Sequence, residues 1–136
     1  MPIPPFNDHG LLPPGIHIAS IDEVIGRFGG PTEVRQAIAE SLKWAMDAAS
    51  KAGISRFIID GSFVDDKAEP NDADCILLVR SDYPRDETAA RELEEGIPYV
   101  QTVLFENERD FEAFLRLQFM VDRKGQTRGV VEVQLS

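Results

Sequence analysis

The sequence predicts an α+β fold, with a mixed or antiparallel four-stranded sheet flanked by helices. Three observations carry that expectation. Apolar residues recur every three or four positions over residues 32–52, which makes a long amphipathic helix. Four short β-branched runs, at 56–59, 74–79, 99–105 and 130–135, sit between helical segments. The gap between the first two runs is too short for a parallel crossover, so that pair is expected to be antiparallel.

The elements follow in order. Residues 1–20 are a proline- and glycine-rich arm, where Pro2, Pro4, Pro5, Pro13 and Pro14 deny helix and ladder donors. Leu11, Leu12, Ile16 and Ile18 give that arm apolar groups to pack on the domain. Ser20 or Asp22 caps a short helix that ends near Phe28, before Gly29-Gly30. Thr32 caps the long helix, whose stripe is Val34, Ile38, Leu42, Ala45 and Ala49, and Gly53 stops it. Arg56-Phe57-Ile58-Ile59 is a buried strand, and residues 60–71 form a loop or short turn. A second strand at 74–79 leads through the Asp82-Tyr83-Pro84 turn to an acidic helix at 86–95. Gly96 and Pro98 separate that helix from a third strand, 99–105. Asn107 caps a helix of about residues 110–121, with Phe111, Phe114, Leu115 and Phe119 as its core stripe. In the last strand Val131, Val133 and Leu135 alternate with Glu132 and Gln134, so the two sets face opposite ways. The 136 residues are expected to form one domain, 1–136.

Charge narrows the function classes. Twenty-four acidic against 14 basic residues give a net charge of −10. So acidic a surface repels phosphate backbones, and bulk nucleic-acid binding is not expected. It suits small-molecule chemistry with a metal to offset the charge, or a basic protein partner. Apolar runs such as Cys75–Val79 are far shorter than the about 20 residues of a membrane span. Met1-Pro2-Ile3-Pro4-Pro5 has neither the basic start nor the apolar stretch of a secretory signal. Cys75 is the single cysteine, so no intrachain disulfide can form, and a cytoplasmic location is expected.

The chemistry is concentrated between Ile58 and Leu78. The first strand ends in Gly61-Ser62. A glycine there lets the backbone approach a ligand closely, the turn after it offers free N–H groups, and Ser62 adds a hydroxyl. After nine residues comes Asp72-x-Asp74, at the mouth of the second strand. Strand alternation puts both carboxylates on one face, where they repel. Mg²⁺ (or Mn²⁺) would hold them ionised, since it takes carboxylate and phosphate oxygens together. A phosphate-cradling turn facing paired carboxylates outlines a nucleoside-triphosphate site. The same residues have plainer readings. Pro70-Asn71-Asp72 is good turn chemistry. Ser62 can be an N-cap, and Lys67 can be either a phosphate contact or a solvated loop lysine. Asp65 and Asp66 are read as facing solvent, His9 and His17 as structural, and Cys75 as a core residue.

The order of apolar strand, Gly61-Ser62, Asp72-x-Asp74 and a second apolar strand, after a long helix, resembles the minimal nucleotidyltransferases of the DNA polymerase β superfamily. Leu12-Pro13-Pro14-Gly15-Ile16-His17 and Arg27-Phe28 extend the similarity to an uncharacterised bacterial branch, over most of the chain. The resemblance implies a polymerase-β-type fold. It implies Gly61 and Ser62 on the β- and γ-phosphates and Asp72 and Asp74 on divalent metal. The implied reaction transfers a nucleoside monophosphate from a triphosphate to a hydroxyl of a small molecule or protein, releasing pyrophosphate. The family also uses a third carboxylate on a later strand. Here the sequence departs, because Gln101 and Thr102 stand on that strand. Glu106, just past it, and Glu132, on the last strand, are the substitutes, with Glu132 the better candidate. An incomplete triad leaves a second expectation: a non-catalytic, antitoxin-like protein that binds a basic partner such as a toxin.

Overall fold

The structure is a computed structural model that describes residues 3–122 and 124–135. Its helices begin where the sequence supplies a side-chain acceptor for an orphan N–H. Ser20 and Glu23 form a reciprocal capping box at the start of α1 (Ile21–Phe28). Thr32 caps α2 (Glu33–Ala52), Asp86 caps α3 (Glu87–Glu95) and Asn107 caps α4 (Glu108–Phe114). Each such cap is worth about 1 kcal/mol. Gly53 closes α2 at φ 96°, in the left-handed region that glycine enters without cost.

The strands are β1 (Gly15–Ala19), β2 (Ile54–Asp60), β3 (Ala73–Val79), β4 (Val100–Phe105) and β5 (Gly129–Val133), in the order β1-β5-β2-β3-β4. The expected antiparallel pair is present: β2 runs against β3, with Ile59 opposite Cys75 and Asp60 opposite Asp74. β5 runs antiparallel to β2, while β1 pairs parallel with β5 and β3 with β4. The architecture is therefore α+β with a mixed sheet of five strands, not four. The added strand is β1, inside the arm read as irregular. Its ladder comes from β5, with Gly15 opposite Gly129 and Ala19 opposite Val133. The pairing joins the two ends of the chain, so local sequence carries no trace of it. Gly129 permits the approach, because a Cβ there would collide with the Pro13 carbonyl oxygen.

Three boundaries also move. The last helix starts at Glu108, and after Phe114 it widens into a π-helical turn, Leu115–Phe119. The last strand ends at Val133. The third predicted strand begins at Val100, because Ile97-Pro98-Tyr99-Val100 is a tight turn closed by the Val100 N–H donating to the Ile97 carbonyl at 3.1 Å.

Alternation along the strands gives each sheet face its own core. Phe57, Ile59, Cys75, Leu77, Val131 and Val133 pack with residues of α1, α2 and α3. Ile58, Ile76, Leu78 and Val130 pack under Phe111, Leu115 and Phe119, as the aromatic stripe predicted. No helix among the described residues is long and apolar enough to cross a membrane.

One charged side chain lies inside this frame. Arg35, in the first turn of α2, is 4% exposed. Its guanidinium donates to the carbonyls of Phe28 (3.1 Å), Ser62 (3.1 Å), Phe63 (2.7 Å), Asp65 (2.9 Å) and Lys67 (2.5 Å). Burial of a charge is tolerated only when its donors are used this fully. Arg35→Met removes the donors and leaves several carbonyls unpaired. We expect it to cost about 3 kcal/mol or more, read as a lower urea midpoint. A midpoint within error of wild type would show that the loop does not depend on this side chain.

Candidate functional site

The site is built where β2 ends and β3 begins. Asp60 closes β2 opposite Asp74, and the chain turns sharply at Gly61, with φ 90°. A Cβ on Gly61 would lie 2.5 Å from Asp74 Oδ2, so glycine is required for the backbone to pass the carboxylate. A short 3-10 turn, Ser62–Val64, follows.

The loop's carbonyls face two arginines. Arg128 Nη2 donates to the Gly61 carbonyl at 3.0 Å and pairs with Asp65 Oδ2 at 3.3 Å, while Arg35 holds Ser62, Phe63, Asp65 and Lys67. In a trans peptide the N–H points opposite to the carbonyl. Turning the Gly61 and Ser62 carbonyls onto arginine therefore turns the Ser62 and Phe63 N–H groups away from it. Neither N–H meets a backbone acceptor among the described residues.

Three carboxylates gather at this end of the sheet, Asp60 on β2 and Asp72 and Asp74 at the start of β3. Asp72 Oδ2 accepts from Gln101 Nε2 at 3.1 Å, so the residue found where an acid was expected bonds to the first aspartate instead. Asp74 is half-buried, and its carboxyl is raised above the ordinary range, first by burial and then by the charge of Asp72, with Arg128 opposing. Asp60 is only 7% exposed. Its carboxyl is pushed up to about 7 by burial, with Asp74 and Asp65 adding to the rise and Arg128 and the Gly61 N–H opposing it. Arg128 Nε lies 3.0 Å from Asp60 Oδ1, at ion-pair distance but without hydrogen-bond alignment, and both atoms lack any hydrogen-bond partner. Even so, no group of three or more His, Cys, Asp or Glu side chains is placed to hold a metal ion among the described residues. The carboxylates that could serve a cation are those of Asp72 and Asp74.

Gly61, Ser62, Asp72 and Asp74 thus lie together at one end of the sheet. Glu132 does not join them. It is on the same face, as its alternation predicted, but opposite Ile58, and both its oxygens bind Arg56, at 3.0 and 2.8 Å. Arg56 also holds Glu112 at 2.7 Å. Lys67 is exposed, and its backbone supplies the loop contacts: its N–H donates to Asp65 Oδ1 and its carbonyl accepts from Arg35. Asp65, expected to face solvent, is instead tied to Arg128, because the loop folds back over β5. His17 is structural, with Nε2 2.7 Å from the Pro13 carbonyl oxygen.

Sequence reading gave no role to Asp60, Arg128 or Arg35. Asp60 left one signal: an acid ending a β-branched run, directly before Gly61. The arginines left none, because their partners in the loop after β2 are 27 or more residues away. A cavity of about 400 Å³ lies at the opposite end of the sheet, lined by Ile54, Arg80, Glu132 and Val133 among others, away from the aspartates. The aspartates and the Gly61 turn are what mark the candidate.

Asp60 makes the pH dependence testable. Its folded pKa, about 7, is above its ordinary 3.8, so between those values the native state keeps a proton that the unfolded state has released. Stability from this group is complete below about pH 4 and is lost as pH rises to about 7. Urea midpoints of wild type and Asp60→Asn, measured from pH 4 to 8 without added metal, should diverge against wild type as pH rises. A constant difference would refute the shift.

No curated protein and no solved structure matches this chain. A model of a family of unknown function, DUF6932, matches residues 4–134. That is nearly the whole sequence, and the chain belongs to this family.

Proposed function

We propose that the protein is a metal-dependent nucleotidyltransferase that moves a nucleoside monophosphate from a triphosphate to a hydroxyl of a small molecule or protein. The supporting observation is the close approach of Gly61 to the Asp74 carboxylate. It brings a turn with two outward N–H groups beside paired acids on the neighbouring strand. An anionic ligand at the turn and a cation at the acids would then share one location.

The residues fit the cation this needs. Mg²⁺ is bound by one or two carboxylates together with substrate phosphates, and Asp72 and Asp74 supply that number. Asp74 is half-buried beside a like charge, the environment a cation relieves. When bound, Mg²⁺ or Mn²⁺ would neutralise phosphate charge during in-line displacement. The Ser62 and Phe63 N–H groups and the Ser62 hydroxyl would hold the β- and γ-phosphates. Asp60 takes the place that the sequence left to Glu132: it is the carboxylate opposite Asp74, with a pKa near neutrality, the range a general base needs. The α–β phosphoanhydride bond breaks, a phosphoester forms, and pyrophosphate leaves.

One observation favours a second reading. With two carboxylates and no three-ligand group among the described residues, the protein can bind nucleotide without turning it over. It would then act as an antitoxin-like binder, its −10 charge suited to a basic partner.

Mg²⁺ with a nucleoside triphosphate should raise the melting temperature, since a ligand at a hundred times its dissociation constant adds about 2.7 kcal/mol to the native state. Asp74→Asn should abolish the shift while leaving the fold as stable as before, because it removes a repulsion. Transfer of labelled nucleotide should be lost in Asp72→Ala and Asp60→Asn and kept in Glu132→Gln. Metal-dependent binding with no transfer to any acceptor supports the second reading, and an undiminished shift in Asp74→Asn overturns both.

A further inference from the structure

Tyr99 breaks a local rule of backbone chemistry. The turn of residues 97–100 has Pro98 and Tyr99 at its centre, and Tyr99 has φ 66°. Proline at the first central place and a positive φ at the second define a type II turn, whose second place calls for glycine or asparagine. A bulky side chain there is strained. Among the described residues Tyr99 is the only non-glycine with a positive φ. Packing does not offset the strain, since the residue is 50% exposed. Strain of this kind clusters at ligand sites, held by the structure around it.

The turn is fixed to the acidic pair. The N–H of Ala73, between Asp72 and Asp74, donates to the Tyr99 carbonyl at 2.9 Å. From there β4 continues in register, with Val100 beside Ala73 and Gln101 beside Asp74. Gln101, two residues after Tyr99, holds the Asp72 carboxylate. Tyr99 therefore stands at the same end of the sheet as Gly61, Asp60 and both candidate metal ligands. Opposite Asp74, the buried Asp60 Oδ1 lies 3.0 Å from Arg128 Nε, an ion pair without hydrogen-bond alignment.

We infer that Tyr99 is the stacking platform for the nucleobase of the bound triphosphate. The inference rests on the nucleotide reading of the Gly61–Asp74 site and deepens it by separating nucleoside from inorganic polyphosphates as its ligand. An aromatic ring in solvent stacks on any base, because every base has a π-face. The site then selects for the presence of a base and discriminates little among the four. The turn fixes the Tyr99 backbone at the carboxylate end of the sheet, which lowers the ordering cost of presenting its ring to a base.

The test measures, in excess Mg²⁺, the dissociation constants of the four nucleoside triphosphates and of inorganic tripolyphosphate. Wild type, Tyr99→Gly and Tyr99→Phe are compared. Wild type should bind the nucleotides about tenfold or more tightly than tripolyphosphate, with only a few-fold spread among bases. Tyr99→Gly should bind both ligand types alike, at the wild-type tripolyphosphate affinity, and Tyr99→Phe should restore the preference. The melting temperature of Tyr99→Gly should equal or exceed wild type, because glycine relieves the positive φ. That excludes unfolding as the cause of lost affinity. Undiminished nucleotide preference in Tyr99→Gly overturns the role of Tyr99 alone and leaves the phosphate-and-metal site standing. Failure of wild type to bind either ligand overturns the site and Tyr99 together.

Discussion

Arg35, from the first turn of α2, and Arg128, just before β5, both reach the loop after β2 and donate to its carbonyls. A loop of this length would ordinarily lie on the surface with its carbonyls in water. Here the carbonyls point inward, onto buried guanidiniums whose charge calls for polar partners. The consequences run outward from that constraint. With the carbonyls turned onto the arginines, the Ser62 and Phe63 N–H groups point away from them. Phe63 and Val64 are drawn into the core. Gly61 is held against Asp74, where any side chain would collide. Residues distant in sequence thus fix the path of a turn of a few residues.

The acids complete the electrostatic picture. Three aspartates at one end of a sheet, in a chain already at −10, are unfavourable by themselves. Arg128 relieves Asp60 and Asp65, and Gln101 gives Asp72 a neutral donor. Asp74 has only the distant help of Arg128, against both burial and Asp72. The imbalance is local: Glu132, an acid on the same sheet face, is fully answered by Arg56. One carboxylate of this face is thus neutralised by a guanidinium, while the other keeps the cost of its burial and of its like-charged neighbour. The Arg56–Glu132–Glu112 group secures α4 to the sheet, and that is a structural task.

Topology decides which groups meet. Because β2 and β3 are adjacent and antiparallel, the end of one lies beside the start of the next, and the turn meets the acids within a single connection. Because β4 runs parallel to β3, its own beginning, with Tyr99 and Gln101, arrives at that same end. Parallel pairing of β1 with β5 closes the other side of the sheet and positions Arg128 under the loop. One end of the sheet therefore collects residues from four separate stretches of chain.

Much of this was legible in the sequence by itself. Periodicity, caps and glycine stops gave the helices. The β-branched runs gave four strands, and the short connection gave the antiparallel pair. The spacing of Gly61-Ser62 from Asp72-x-Asp74 marked the candidate site. These signals are local, set by steric and hydrogen-bonding preferences acting within a few residues. Tertiary structure alone decided the rest. β1 becomes a strand only because β5 supplies its ladder. The π-helical widening after Phe114 follows from no local signal that we identify. Asp65 is withdrawn from solvent, and Glu132 is kept from the aspartates, by arginines far away in the chain. Asp60 gains a near-neutral pKa only once burial, Asp74 and Arg128 act on it together. The physical reason is common to all of these. A buried charge is governed by its partners in space, and a sequence does not state those partners until the chain has folded.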